Sequence, residues 1–177
     1  AAAQPGLTLK AGDVTDAETL AALLKGHDVV VSSTRFVGGT DAATLIAAAR
    51  QAGVKRVIVV GGAGSLEVAP GVALVDTPEF PEIYKAEAIG GSAFLQTLRA
   101  ETELDWTFLS PSALFEPGER TGRFRLGGDR PGAHELIALV GNEANIVAGK
   151  RRHEALADID PCLPAVFRQP DQQRPAP

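Results

Sequence analysis

Val54-Lys55-Arg56-Val57-Ile58-Val59-Val60-Gly61-Gly62-Ala63-Gly64-Ser65 decides the fold. Its apolar side chains are β-branched and run without alternation, as in a strand buried on both faces. Glycines then break the pattern. Immediately upstream, Ala42–Ala52 is rich in alanine and carries Leu45, Ile46 and Ala49 on one stripe. The Gly38-Gly39-Thr40-Asp41 loop offers a cap before it and Gly53 a stop after it, so a helix is expected. Further upstream, Asp28-Val29-Val30-Val31-Ser32-Ser33 reads as a second buried strand. Strand, helix and strand at this spacing predict a parallel sheet joined by right-handed crossover helices.

The same unit extends in both directions. Leu20, Leu23 and Leu24 fall on one helical face before Gly26, and Thr15-Asp16-Ala17-Glu18 has the form of a capping box opening that helix. Leu7, Leu9 and Ala11 alternate, which predicts a strand over Leu7–Gly12. Downstream, a loop of about twenty residues holds Pro70, Pro78 and Pro81. A helix is expected from Tyr84 to Ala100, weakened by Gly90-Gly91. Leu104–Ser110 reads as a strand ended by Pro111, and Arg123–Leu126 as a short hairpin strand.

Composition bounds the function. A chain of 177 residues fits one domain with a tail. Its 17 basic and 22 acidic residues are interspersed, with a net charge of −5, so no basic face awaits nucleic acid or an anionic membrane. One cysteine, Cys162, precludes an internal disulfide, and 3 scattered histidines suggest no metal site. No apolar run is long enough to span a bilayer, and Ala1–Gly6 does not resemble a signal peptide, which points to a cytoplasmic protein. No methionine is present, so either an initiator was removed or the chain is a fragment. Half of the 12 prolines fall in the last 49 residues. The division expected is therefore a domain over 1–129 and a divergent, partly disordered segment over 130–177. Short helices at Glu135–Val140 and His153–Ile159 are the structure it could hold.

In an open parallel sheet, ligands bind beyond the carboxyl ends of the strands. Four such ends are candidates: Asp13-Val14, Ser32-Ser33-Thr34, Gly61–Ser65 and Ser110-Pro111-Ser112. All are small or polar, which lets a ligand approach the backbone. A pyrophosphate cradle is missing from the sequence. Gly61-Gly62-Ala63-Gly64-Ser65-Leu66-Glu67 lacks the third glycine of G-x-G-x-x-G and enters a proline-rich loop.

Several segments together resemble one family. These are Gly12–Asp16, Gly53–Leu66, Pro81–Ala88, Leu104–Pro111 and Gly118–Gly122. From about Leu7 to Asp129 the chain is similar to atypical short-chain dehydrogenase/reductase proteins of the NAD(P)H-binding group, of NmrA-like, biliverdin reductase B and NADH-flavin reductase type. The resemblance implies a Rossmann-like three-layer α/β fold with a parallel sheet, here incomplete at the N-terminus. The family's first strand, its glycine turn and its second strand have no counterpart before Leu7, and its closing strand and helix have none after Asp129. The chain is thus expected to be an N-terminally truncated member with a divergent end. Losing those strands would either bring Leu7–Gly12 against Asp28–Ser33 or leave edges unpaired, and would make NAD(P)H affinity poor.

The resemblance also assigns roles. Asp13 and Val14 would flank the adenine, although Asp13 can equally cap its own turn. Ser32, Ser33 and Thr34 would lie beside the ribose, Gly61 and Gly62 under the nicotinamide, and Ser110, Pro111 and Ser112 by the carboxamide. The usual Tyr-x-x-x-Lys pair is absent, because Tyr84 is followed four positions later by Ala88. Ser65 and Tyr84 are the remaining candidates for catalysis. A flavin, FMN or FAD as substrate, tolerates a missing acid, since solvent can supply the proton. The function implied is hydride transfer from NAD(P)H to a flavin or similar acceptor. A non-catalytic dinucleotide sensor and a sugar-nucleotide epimerase or dehydratase are the alternatives. The acceptor is a small molecule, and the sequence does not specify an oligomeric state.

Overall fold

A computed structural model describes residues 5–111 and 113, together with the backbone of strands at 125–127 and 143–148. In chain order the elements are α1 (Ala17–Leu24), β1 (Val29–Ser32), α2 (Ala42–Ala52), β2 (Arg56–Val60), β3 (Glu67–Ala69), β4 (Val72–Ala73), α3 (Glu82–Ala100), β5 (Asp105–Pro111), β6 (Arg125–Gly127) and β7 (Glu143–Ala148). The main sheet runs β1-β2-β5-β7-β6. β1, β2 and β5 are parallel, with Val30, Val57 and Trp106 in register and Ser32, Val59 and Phe108 one pleat further on. This is the α/β architecture that the strand and helix spacing predicts.

Alternate strand residues build the core. Val30, Val57, Val59, Trp106 and Phe108 form one apolar cluster with Leu20 of α1, Leu45, Ala48 and Ala49 of α2, and Phe94, Leu95 and Leu98 of α3. The described helices therefore cover one face of the sheet. The opposite face is more open: Val31 is 61% exposed on β1, which is the edge strand. The second helical layer of a three-layer fold has no described residues. No described helix is long and apolar enough to cross a membrane.

Helix ends follow local chemistry. Asp41 opens α2 by accepting the Thr44 amide at 2.7 Å, and Gly53 closes it at φ +76°. At α1 the capping frame lies one residue later than expected. Asp16, rather than Thr15, accepts the Thr19 amide at 2.7 Å, because Thr15 already donates to Asp13. Gly26, at φ +82°, follows the end of α1 as the sequence predicts.

Leu7–Gly12 is not a strand, which corrects the alternation reading. Leu9 is 70% exposed, and no described strand lies beside the segment to complete a ladder. Alternation without a partner cannot satisfy the backbone groups of a strand. Among the described strands, β1 lies at the edge of the sheet and pairs only with β2. Gly12 instead packs against the end of the Leu23 side chain of α1, which would have to shift to admit a Cβ there.

The proline-rich loop after β2 is ordered. It contains a 3-10 turn at Ala63–Ser65, the β3–β4 hairpin and a second 3-10 turn at Leu74–Asp76. Leu66 and Val75 are buried beneath it, and the Leu74 amide donates to the Leu66 carbonyl at 2.8 Å.

The glycine pair inside α3 has a packing cause. A Cβ on Gly90 would meet Phe36 Cβ at 2.9 Å, and one on Gly91 would meet its ring at 3.0 Å. The Phe36 ring lies edge-on to Phe94 at 5.4 Å and stacks on Phe108 at 6.2 Å. Burying that aromatic ring offsets a helix-propensity cost of about 1 kcal/mol per glycine.

Two strands differ from expectation. β6 overlaps the Arg123–Leu126 reading at Arg125 and Leu126 but is no hairpin strand, since it pairs parallel with β7. β7 itself lies beyond the expected boundary at 129 and pairs antiparallel with β5. Its two alanines are weak strand formers, so its presence rests on pairing rather than propensity. The expected helices Glu135–Val140 and His153–Ile159, the Gly118–Gly122 motif, Ser112 and the segment Pro161–Pro177 lie outside the described residues.

Candidate functional site at the strand carboxyl ends

Register places three of the four candidate segments in one row. Ser32 pairs with Val59, Val59 with Phe108 and Val60 with Leu109. The Gly61 amide continues the ladder by donating to the Leu109 carbonyl at 2.8 Å. Ser33-Thr34, Gly61-Gly62 and Ser110-Pro111 therefore emerge side by side at one edge of the sheet. Asp13 and Val14 sit in the turn before α1, outside the sheet, so the ladder does not place them in the row.

The row offers backbone and hydroxyls. Ser32 is buried, and its Oγ lies 3.4 Å from Thr34 Oγ1. Ser33 is exposed and Thr34 half-buried. The two glycines differ in kind. A side chain on Gly61 would overlap the ring of Phe108, so its bareness has an internal cause. Gly62 has extended backbone, and among the described residues nothing lies within 4 Å of where its Cβ would be. It is the open ledge of the row.

Ser110 is fully buried, and among the described residues its Oγ has no hydrogen-bond partner. An unsatisfied buried hydroxyl costs about 1–3 kcal/mol. Ser110 lies near the carboxyl end of β5, one position beyond the Leu109 that pairs with Val60. Pro111 is half-buried next to it.

Asp13 has its own local role. Its Oδ1 accepts from the Thr15 amide at 2.8 Å and from Thr15 Oγ1 at 2.7 Å. Those two bonds, side-chain first, hold its carboxyl below the ordinary carboxylate range. This is the turn-capping role left open by the sequence.

Ser65 and Tyr84 come to the same end of the molecule. Gly64 lies against Ala88 of α3, where an added Cβ would approach at 2.7 Å. Tyr84 lies one turn earlier on the same stripe of α3. Tyr84 is 63% exposed, whereas Ser65 is half-buried. Lys85 Nζ lies 3.4 Å from Glu82 and is engaged there. No described cluster of three or more His, Cys, Asp or Glu could hold a metal ion.

Sequence reasoning missed Phe36 and Glu87. Glu87, on α3, accepts the Phe36 amide at 2.6 Å and the Val37 amide at 3.2 Å, and lies 3.6 Å from the Arg35 guanidinium. The contact joins positions about 50 residues apart. Glu87 stood within a quoted motif, but nothing in the sequence linked it to the loop after β1.

Comparison with known proteins agrees with this geometry. The family model for NAD(P)H-binding proteins matches residues 1–144. Protein YwnB of Bacillus subtilis (strain 168), itself uncharacterised, is 39% identical over 115 residues. Among solved structures, a Burkholderia pseudomallei protein assigned as exported is 46% identical, with a TM-score of 0.62 over 77% of this chain and 68% of that one. A Bacteroides thetaiotaomicron protein assigned as an epimerase is 32% identical, with a TM-score of 0.64 over 80% of this chain and 77% of that one. A Streptococcus pneumoniae protein assigned as an NADH-flavin reductase is 28% identical, with a TM-score of 0.57 over 75% of this chain and 77% of that one. The YwnB match covers 60% of this chain and 54% of YwnB, so the chain spans about half the length of that relative.

Proposed function

The chain belongs to the NAD(P)H-binding family, and on that premise we propose that its strand-end row seats the nicotinamide end of NAD(P)H in an oxidoreductase of flavin-reductase type. The observation that carries this reading is the open backbone at Gly62 in the same strand-end row as Ser110, whose hydroxyl has no partner among the described residues. Bound NAD(P)H supplies a hydride. Gly62 lets a planar ring lie close to the backbone. In this reading the Ser110 hydroxyl would face the carboxamide once the buried end of β5 admits the cofactor, and Ser33 and Thr34 would bond ribose hydroxyls. The residues fit this end of the cofactor, while no glycine turn in the sequence grips its phosphates. Affinity is therefore expected to be weaker than micromolar.

The acceptor follows from what α3 lacks. Reducing a carbonyl needs a placed proton donor, and the position one turn after Tyr84 holds Ala88 rather than a lysine. Lys85 is occupied by Glu82. A flavin or similar conjugated ring accepts hydride with its proton coming from water, so the protein need only hold two rings in contact. The solved flavin-reductase relative supports this reading. The epimerase relative does not displace it, because the tyrosine–lysine pair is missing here.

Oxidation of NADH and NADPH, followed by absorbance with FMN or FAD as acceptor, tests the proposal. Acceptor-dependent turnover is expected. Saturable nucleotide binding without turnover on any flavin or quinone would instead make the protein a dinucleotide sensor.

A further inference from the structure

The loop that leaves β1 carries Ser33 and Thr34 and then runs through Arg35, Phe36 and Val37. Three separate contacts tie it to α3. Phe36 fills the space above Gly90 and Gly91. Its ring packs on Phe94 and Phe108. The Glu87 carboxylate takes two consecutive amides, at 2.6 Å from Phe36 and 3.2 Å from Val37, with Arg35 at 3.6 Å. The first two contacts are apolar and need only volume. The third is directional, because two oxygens meet two adjacent N–H groups.

Such charge-assisted bonds are about twice as strong as neutral ones. Their geometry also sets the path of the chain two residues beyond Thr34. A shift there changes the gap between the Ser33-Thr34 backbone and the Gly61-Gly62 ledge. With both oxygens committed to amides, and its side chain only 33% exposed, Glu87 is poorly placed to exchange a proton with a substrate. Its chemistry suits fixing a loop rather than the reaction itself.

We propose that Glu87 is a positioning residue, a clip on α3 that holds the β1 loop at the spacing the nicotinamide nucleotide needs. This rests on the cofactor reading above and names a device that serves it. Three substitutions separate the features of the clip. Glu87→Asp keeps the charge but falls a methylene short. Glu87→Gln keeps the length but can accept only one of the two amides. Glu87→Ala removes both. Gln96→Ala, exposed on the same helix, serves as the control.

The test measures NADH affinity, kcat and KM with FMN, and amide hydrogen exchange for all four variants of the 177-residue chain. The expected result is faster exchange at Phe36 and Val37 in every Glu87 variant, with exchange at Gly61 unchanged. NADH affinity should fall about tenfold in Glu87→Ala and less in Glu87→Gln. Gln96→Ala should match wild type. Faster exchange at Phe36 and Val37 with wild-type affinity, kcat and KM would overturn the proposal, leaving Glu87 a purely structural clasp. Unchanged exchange would overturn the clip itself. If Glu87→Ala does not fold, the Asp and Gln variants decide by the same criteria. Failure of the wild-type chain to bind NADH or NADPH would overturn the cofactor reading and this proposal with it. Binding by wild type that is unaltered in the variants overturns the positioning role alone.

Discussion

Gly61→Ala should destabilise the protein by about 3 kcal/mol, roughly 10 °C in melting temperature. The added methyl would overlap the ring of Phe108, which is fully buried and stacked against Phe36. A buried ring inside a close-packed core has nowhere to move. Gly62→Ala, one residue later, should change stability by less than about 0.5 kcal/mol. Its backbone is already extended, and its Cβ would enter open space. That variant should nevertheless lose nucleotide affinity, because the methyl fills the ledge. Combining Gly61→Ala with Phe108→Leu should recover part of the lost stability, since the two positions share one clash. Thermal melts with and without nucleotide separate the two glycines. Equal melting losses at both would contradict the distinction.

Removing the Glu101 carboxylate should cost about 3 kcal/mol at neutral pH. Glu101 closes α3 with a side chain only 3% exposed, and it accepts four bonds. Arg50 Nη2 reaches its two oxygens at 3.1 and 2.8 Å, and the amides of Glu103 and Leu104 reach Oε1 at 2.5 and 3.0 Å. Burial alone would raise its carboxyl. The two amides and the Arg50 guanidinium outweigh that and hold it below the ordinary range. Because the folded value is depressed, the stability it contributes is complete above the unfolded carboxylate pKa, about 4.3, and is lost as pH falls through the lower folded value. Denaturant melts from pH 6 to pH 3 check this. Wild type should lose stability steeply over the acid part of that range. Glu101→Gln should start lower at pH 6 and decline less. Parallel pH curves for the two proteins would contradict the assignment.

The parts of the fold legible in the sequence are those where pattern and partner coincide. β2 and α2 have β-branched or alanine-rich stretches bounded by glycine, and tertiary packing uses the same faces that the pattern exposes. Leu7–Gly12 shows the limit, because its alternation promised a strand while a strand is a property of two segments. The reading of Thr15 as a cap failed for a local reason: Asp13 competes for its amide, and Asp16 takes the cap. Gly90-Gly91 looked like a weakness in α3, and only Phe36, more than 50 residues away, explains it. The β3–β4 hairpin and β7 consist of short runs with little propensity of their own.

The candidate site divides in the same way. Its location followed from topology, since ligands in a parallel sheet gather at the strand carboxyl ends, and register confirms that Ser33-Thr34, Gly61-Gly62 and Ser110-Pro111 are neighbours. The reasons for particular residues did not follow. Gly61 is bare because of Phe108, Asp13 is engaged by Thr15, and Glu87 acts on a loop to which no spacing connects it. The first and the last depend on contacts between distant positions, which composition and periodicity do not carry.

Amide exchange of the 177-residue chain with and without saturating NADH bears most directly on the site. Bound nucleotide should slow exchange at Ser33, Thr34, Gly61 and Gly62 together, and leave the outer turns of α2 unchanged. Slowing confined to the β3–β4 hairpin or to residues 7–14, with the four strand-end amides unaffected, would place the nucleotide elsewhere and refute the row as its seat.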